Sequence, residues 1–216
     1  MSSVDTVTGE HPATTPVRHR STVDWRIVEA WTAQLLVNDL RDIREEFASQ
    51  GAFGPAIVWS PNPGVIELPV LRRLYEAWDR GRDGRFVPQL ARLDLDAMAP
   101  GFGYVLALDV LDDGADFRYR LFGRQAAAVS GFDMTGHLLS EHPASAYVVH
   151  FALALYRAAR LRHEPALTFY GPARAVDTDA WHRLALPLAD ASGAVCRFIS
   201  GSVPVDRDGR MLEPRP

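Results

Sequence analysis

Lysine is missing from this chain: all 23 of its basic residues are arginine. Against 27 acidic residues this leaves a formal net charge of −4, and the arginines form no dense block. An electrostatic footprint for DNA or RNA is therefore excluded, and the arginine bias reads as the mark of a GC-rich genome. Cysteine is nearly missing too. With Cys196 alone, neither an intrachain disulfide nor an all-cysteine metal site can form. It lies within a strand pattern, where a buried, inert thiol is expected. No apolar run is long enough to cross a bilayer, and there is neither a secretion leader nor a lipidation motif. The expectation is a soluble cytoplasmic protein without membrane or nucleic-acid partners. Internal repeats, a G-x-G-x-x-G phosphate loop and a G-x-S-x-G nucleophile elbow are also absent.

What the chain does have is apolar material: 47% of 216 residues, enough to fill the core of one domain with appendages. Residues 1–20 are rich in Ser, Thr, Pro and Gly, have little to bury, and read as a disordered tail. From Asp24 to about Ala48, Val28, Trp31, Leu35, Leu36, Leu40, Ile43 and Phe47 recur at spacings of three and four. That spacing predicts one long helix, with Ser21 and Asp24 placed to cap it and Gly51 after its end. The stripe needs a partner, either its own domain, on which the helix would pack as a cap, or the same helix of a second chain; the helix is longer than a small sheet needs as a cap, which favours a homodimer through residues 24–48. Gly54–Gly64 holds three prolines and reads as a linker, so residues 21–64 form an N-terminal helix and linker.

Residues 65–206 read as the domain proper, and 207–216 as a polar tail after which no output domain is expected. Pro69 opens a short helix that ends at Gly81. Tyr104–Val110 and an alternating return strand form a hairpin about Asp112-Asp113-Gly114. In that return strand Phe117, Tyr119 and Leu121 share one face and Arg118 and Arg120 the other, where they can pair with acidic residues across the sheet. Short helical segments follow at Gln125–Ser130 and Thr135–Glu141. Pro143 opens the longest helix, reaching about Arg162, and Pro165 stops it. Three strands close the domain, Ala166–Ala173, Trp181–Leu188 and Ala194–Val203, with turns at Asp177-Thr178-Asp179 and Asp190-Ala191-Ser192-Gly193.

Hairpin, small helices, long helix and three antiparallel strands is the element order of a PAS fold. The expected class is α+β: a five-stranded antiparallel sheet with helices across one face, plus the N-terminal helical extension. The sequence of Asp116–Gly123, DFRYRLFG, followed by G-F-D-x-T-G-H from Gly131 to His137, resembles a family of short stand-alone bacterial PAS-type proteins. Arg92-Leu93-Asp94-Leu95-Asp96 and Leu184-Ala185-Leu186-Pro187-Leu188 resemble the same family. The resemblance covers roughly Leu68 to Val205 and departs from the family pattern at Ala97 and Arg124. It implies a sensing or interaction module that signals through contacts with another protein.

Catalytic apparatus is hard to find. His137 to His142 superficially resembles an inverted zinc-protease motif, but the spacing is one residue too long and Pro143 breaks the helix it needs. Asp94 with Asp96, and Asp177 with Asp179, are two apart as paired acid/base carboxylates can be, yet both suit turns and caps. His150, on the long helix, is placed as an axial haem ligand would be. A lone histidine on an apolar helix face is more often core or pocket lining, and haem is set aside on that ground. A cavity between sheet and long helix is the better prospect, set against a filled core that takes no ligand. The residues expected to face it are Tyr119, Leu121, Val129, Tyr147, His150, Phe151, Phe169, His182, Leu184 and Phe198. These walls would suit a small apolar ligand. The alternative is a small-molecule-converting enzyme on an α+β cone, with Asp94 or His182 as base.

Overall fold

The structure, a computed structural model, describes residues 23–171 and 180–212. The tail expected over residues 1–20 and the turn at Asp177-Thr178-Asp179 lie outside the described residues. Six antiparallel strands form one sheet: β1 (Ala56–Trp59), β2 (Val105–Leu111), β3 (Asp116–Phe122), β4 (Ala166–Tyr170), β5 (Ala180–Ala189) and β6 (Val195–Val205). Their order across the sheet is β1-β4-β5-β6-β2-β3. The α+β class read from the sequence holds, and the strand count of five does not. The sixth strand, β1, comes from the stretch read as a linker. Ala-Ile-Val-Trp between Pro55 and Pro61 is short, and it pairs with β4 from Ala56↔Phe169 to Trp59↔Ala166. An edge position tolerates flanking prolines because one side of the strand owes no hydrogen bonds.

Helices cover both faces of the sheet rather than one. On one face lies α3 (Pro69–Arg82), whose Leu71, Leu74 and Trp78 pack in a cluster with Leu184, Leu186, Leu188 and Ile199. Trp78 Nε1 donates to the Pro187 carbonyl at 2.7 Å. β4 ends opposite Ala185, so a proline at 187 breaks no ladder bond on that side and leaves a carbonyl for the indole. The short α4 (Leu95–Met98) packs beside α3, with Met98 in the same cluster. The other face carries α6 (Ala146–Arg162), which buries Phe151, Leu155 and Tyr156 in a cluster with Leu108, Phe117, Tyr119, Ala185 and Phe198. The small α5 (Arg124–Ser130) adds Ala126 to that side. β5 is therefore covered on both faces, which is why Leu184–Leu188 is a nearly unbroken apolar run.

The expected long N-terminal helix is two helices, α1 (Trp25–Leu36) and α2 (Arg41–Ser49). Asn38 adopts a left-handed backbone with φ of 59°, a helix-stop conformation asparagine tolerates. Asp39 Oδ1 then accepts from the Arg41 N–H at 3.0 Å and starts the next helix. Both halves fold back on α6, so a stripe that looked continuous in sequence is turned onto one core. Val28, Leu35, Ile43 and Phe47 are all 0% exposed within this single chain, which removes the unpartnered stripe that pointed to a homodimer. At the start of α1, Asp24 caps with its side chain on the Arg26 N–H, while its own N–H donates to His150 Nε2 at 2.9 Å. Among the described residues no helix is long and apolar enough to cross a membrane.

Candidate functional site

On the α6 face the packing leaves a cavity of about 300 Å³, at the small end of the range for ligand pockets. Strand alternation supplies its floor: Leu106 from β2, Tyr119 and Phe122 from β3, Tyr170 from β4, Trp181 and Arg183 from β5, and Ser202 from β6. Ala126 and Ser130 of α5, then Phe132, form one side. His142 to Ser145, with Tyr147 and Val148 of α6, form the other.

The β3 wall depends on a bulge. Ala107 pairs with Leu121 but Leu108 pairs with Tyr119, so Arg120 is an extra residue opposite no partner. The bulge resets the alternation, sending Leu121 outward at 42% exposure and bringing Phe122 inward at 6%. It also aims Arg120 at Asp109 Oδ2, while Arg197 Nε reaches Asp109 Oδ1 at 2.6 Å. Burial opposes the charge on Asp109, but these two guanidinium hydrogen bonds outweigh it and lower its pKa. The outer edge of β3 is covered by a loop: the Tyr119 N–H donates to the His137 carbonyl at 3.0 Å, and the Gly136 N–H to the Tyr119 carbonyl at 2.8 Å.

Aromatic rings dominate the interior. The His142 ring packs edge-on against Phe132 with centroids 4.9 Å apart, and tilted against Tyr119 at 6.4 Å. Its Nδ1 accepts from the Ala144 N–H at 3.1 Å. Burial first, and then the nearby charge of Arg183, push its pKa down to about 3, so the ring is neutral near pH 7. Behind the cavity, Phe47 of α2 meets Tyr147 at 4.7 Å and Tyr170 at 6.1 Å, both edge-on. The N-terminal helices thus brace the wall from outside.

Among the described residues, Arg183 is the one strong charge in this wall. It is only 8% exposed, and its Nη2 donates to the Tyr170 hydroxyl at 3.1 Å. Its guanidinium carbon also lies 5.6 Å from the centroid of the Tyr170 ring. Burial opposes its charge, while the phenols of Tyr170, Tyr156 and Tyr119 favour it. The net direction is upward, so the group stays a cation. Burial correspondingly raises the pKa of Tyr119 and of Tyr156, which remain neutral phenols.

Of the ten residues expected at the cavity, Tyr119 and Tyr147 line it. Leu121 is turned out by the bulge. Val129 is half-buried on α5, where Ala126 and Ser130 hold the lining positions. His150 faces α1, bonded to Asp24 and edge-on to Trp31, so its Nε2 is already used. Phe151 and Phe198 are 0% exposed core residues packed against other rings. Phe169, His182 and Leu184 belong to the opposite side of the sheet, where the Phe169 and His182 rings meet at 4.6 Å and Leu184 joins the α3 cluster. Within β5 the expectation chose the wrong parity: Trp181 and Arg183 face the cavity, His182 and Leu184 do not. The signal available was Arg183 itself, a charge inside an otherwise apolar run.

Among the described residues the candidate catalytic groups do not converge on this cavity; Asp177 and Asp179 lie outside the described residues. Asp94 caps α4 by accepting from the Ala97 N–H at 3.0 Å, and both it and Asp96 are exposed. His137 stands 3.5 Å from Glu141, outside the cavity lining. Cys196 is exposed rather than buried, because Val195 takes the inward position at the start of β6. Among the described residues no three His, Cys, Asp or Glu side chains gather as a metal site would need. Comparison of the chain with protein-family models, with curated proteins and with solved structures found no match.

Proposed function

We propose that this chain is a PAS-like sensory protein that takes up a small molecule in the cavity over β2, β3, β5 and β6 and signals through protein contacts. The observation that carries the reading is the cavity itself: a wall of aromatic side chains with few polar groups, between the sheet and the start of α6. The element order supports the PAS assignment, with the β2–β3 hairpin, α5, α6 and then β4, β5 and β6 following one another. Strand β1, helices α1 and α2, and the α3 layer are additions around that frame. Phe47, in ring contact with Tyr147 and Tyr170, links the cavity wall to the N-terminal helices. Occupancy changes the signal only to the extent that the ligand favours one α2–α6 arrangement over another.

Native mass spectrometry of the full chain, incubated with a small-molecule extract of its expression host, tests this. The expected result is a defined mass increment that disappears on denaturation and in a Val148→Trp variant, which fills the cavity from its partly exposed rim. An increment that survives in folded Val148→Trp, or no increment under any loading, contradicts the proposal.

A further inference from the structure

We propose that the ligand is a small monocarboxylate, with its carboxylate on Arg183 and an aryl or short acyl body against the aromatic walls; this rests on the cavity reading above. Buried charges in proteins are paired, because removing an ion from water without a partner is costly. Other arginines among the described residues are paired with a carboxylate or held by backbone carbonyls. Arg160 meets Asp113, Arg162 meets Glu164 and Arg197 meets Asp109. Arg157 donates to the Gly114 and Ala115 carbonyls at 2.8 and 2.7 Å, and Arg44 to the Pro55 carbonyl at 3.0 Å.

Arg183 differs. Among the described residues no carboxylate lies within 4.0 Å of it, and its Nε is buried without a hydrogen-bond partner; the Arg160 Nε is buried likewise, but that guanidinium has Asp113 beside it. Its hydrogen bond to the Tyr170 hydroxyl supplies no carboxylate. An unsatisfied buried donor calls for a bound group. The free Nε–H, with a neighbouring Nη–H, is one edge of the guanidinium fork, which a carboxylate fills with two parallel bonds. The charge count sets the valence. Among the described residues Arg183 is the only arginine lining the cavity, and the His142 ring beside it is neutral near pH 7, so one negative charge is matched and two are not. The rest of the lining sets the body of the ligand: Phe122, Phe132, Tyr147 and Trp181 offer faces and edges to a ring or short chain, and about 300 Å³ leaves no room for a long one.

Calorimetric titration of the full chain with phenylacetate and octanoate, and with their neutral amides, separates the claims. The acids are expected to bind at least tenfold more tightly than the amides. Arg183→Met should erase that preference while leaving amide affinity within about threefold. If that variant does not fold, Arg183→Lys keeps the charge without the fork and is expected to weaken acid binding about tenfold, with amide binding unchanged. Acid and amide binding equally to the unaltered chain overturns the carboxylate inference and leaves the cavity standing. Failure of both acids and both amides to bind at millimolar concentration overturns the cavity reading itself.

Discussion

Histidines in this chain differ by what surrounds them, and the difference makes stability depend on pH. His142 accepts a proton near pH 6.5 when unfolded but only near pH 3 when folded, because burial and then Arg183 oppose its charge. Between those values the unfolded chain binds more protons, so stability is full above about pH 6.5 and falls as the pH drops toward 3. His150 and His182, lowered first of all by burial, act in the same direction. Asparagine at 142 can keep the acceptor for the Ala144 N–H without titrating. Urea melts of His142→Asn are therefore expected to lose about 1–2 kcal/mol less than the unaltered chain between pH 7 and 4, allowing for partial exposure of the ring. At this scale the sequence was a poor guide. The bulge at Arg120 leaves no mark in a strand that alternates cleanly on paper, and Leu121 was misplaced as a result. Arg183 was passed over because a lone charge in a strand ordinarily marks a solvent face.

Elements were far more legible than residues. The hairpin, α6 and the three C-terminal strands lie within a few residues of where periodicity and turn chemistry put them, because each carries its own stop signals. Two failures have physical causes. A four-residue edge strand between prolines carries only Ile57, Val58 and Trp59 as strand-favouring residues, too few to outweigh its surroundings. The break between α1 and α2 was hidden because both halves bury their stripes on the same core, so spacing ran on through the turn. The turn rests on Asn38 at φ 59°. Asn38→Gly should be neutral or slightly stabilising, and Asn38→Ala should cost about 1 kcal/mol by equilibrium unfolding, since alanine lacks the short polar side chain by which asparagine tolerates the left-handed backbone. Equal effects of the two substitutions would mean that the turn can straighten into a continuous helix.

At the scale of the whole molecule, a sheet with helices on both faces holds the aromatic cavity on its α6 side. The α3 face is filled by Trp78, Leu184, Leu186 and their neighbours, whereas the α6 face is bridged near its edge by aromatic rings that leave space between them. That asymmetry was beyond the sequence, in which β5 reads as apolar on both sides. The N-terminal helices back the cavity wall, through Phe47 on Tyr147 and Tyr170. The measurement that tests the ligand site most directly is backbone-amide NMR of the isotope-labelled full chain titrated with phenylacetate. Saturable shifts are expected at Tyr119, Phe132, His142, Tyr147 and Arg183, extending to Phe47, while Leu71, Trp78 and Leu186 on the far face stay still. Shifts centred on the α3 face, or none up to millimolar ligand, would contradict a binding site in the aromatic cavity.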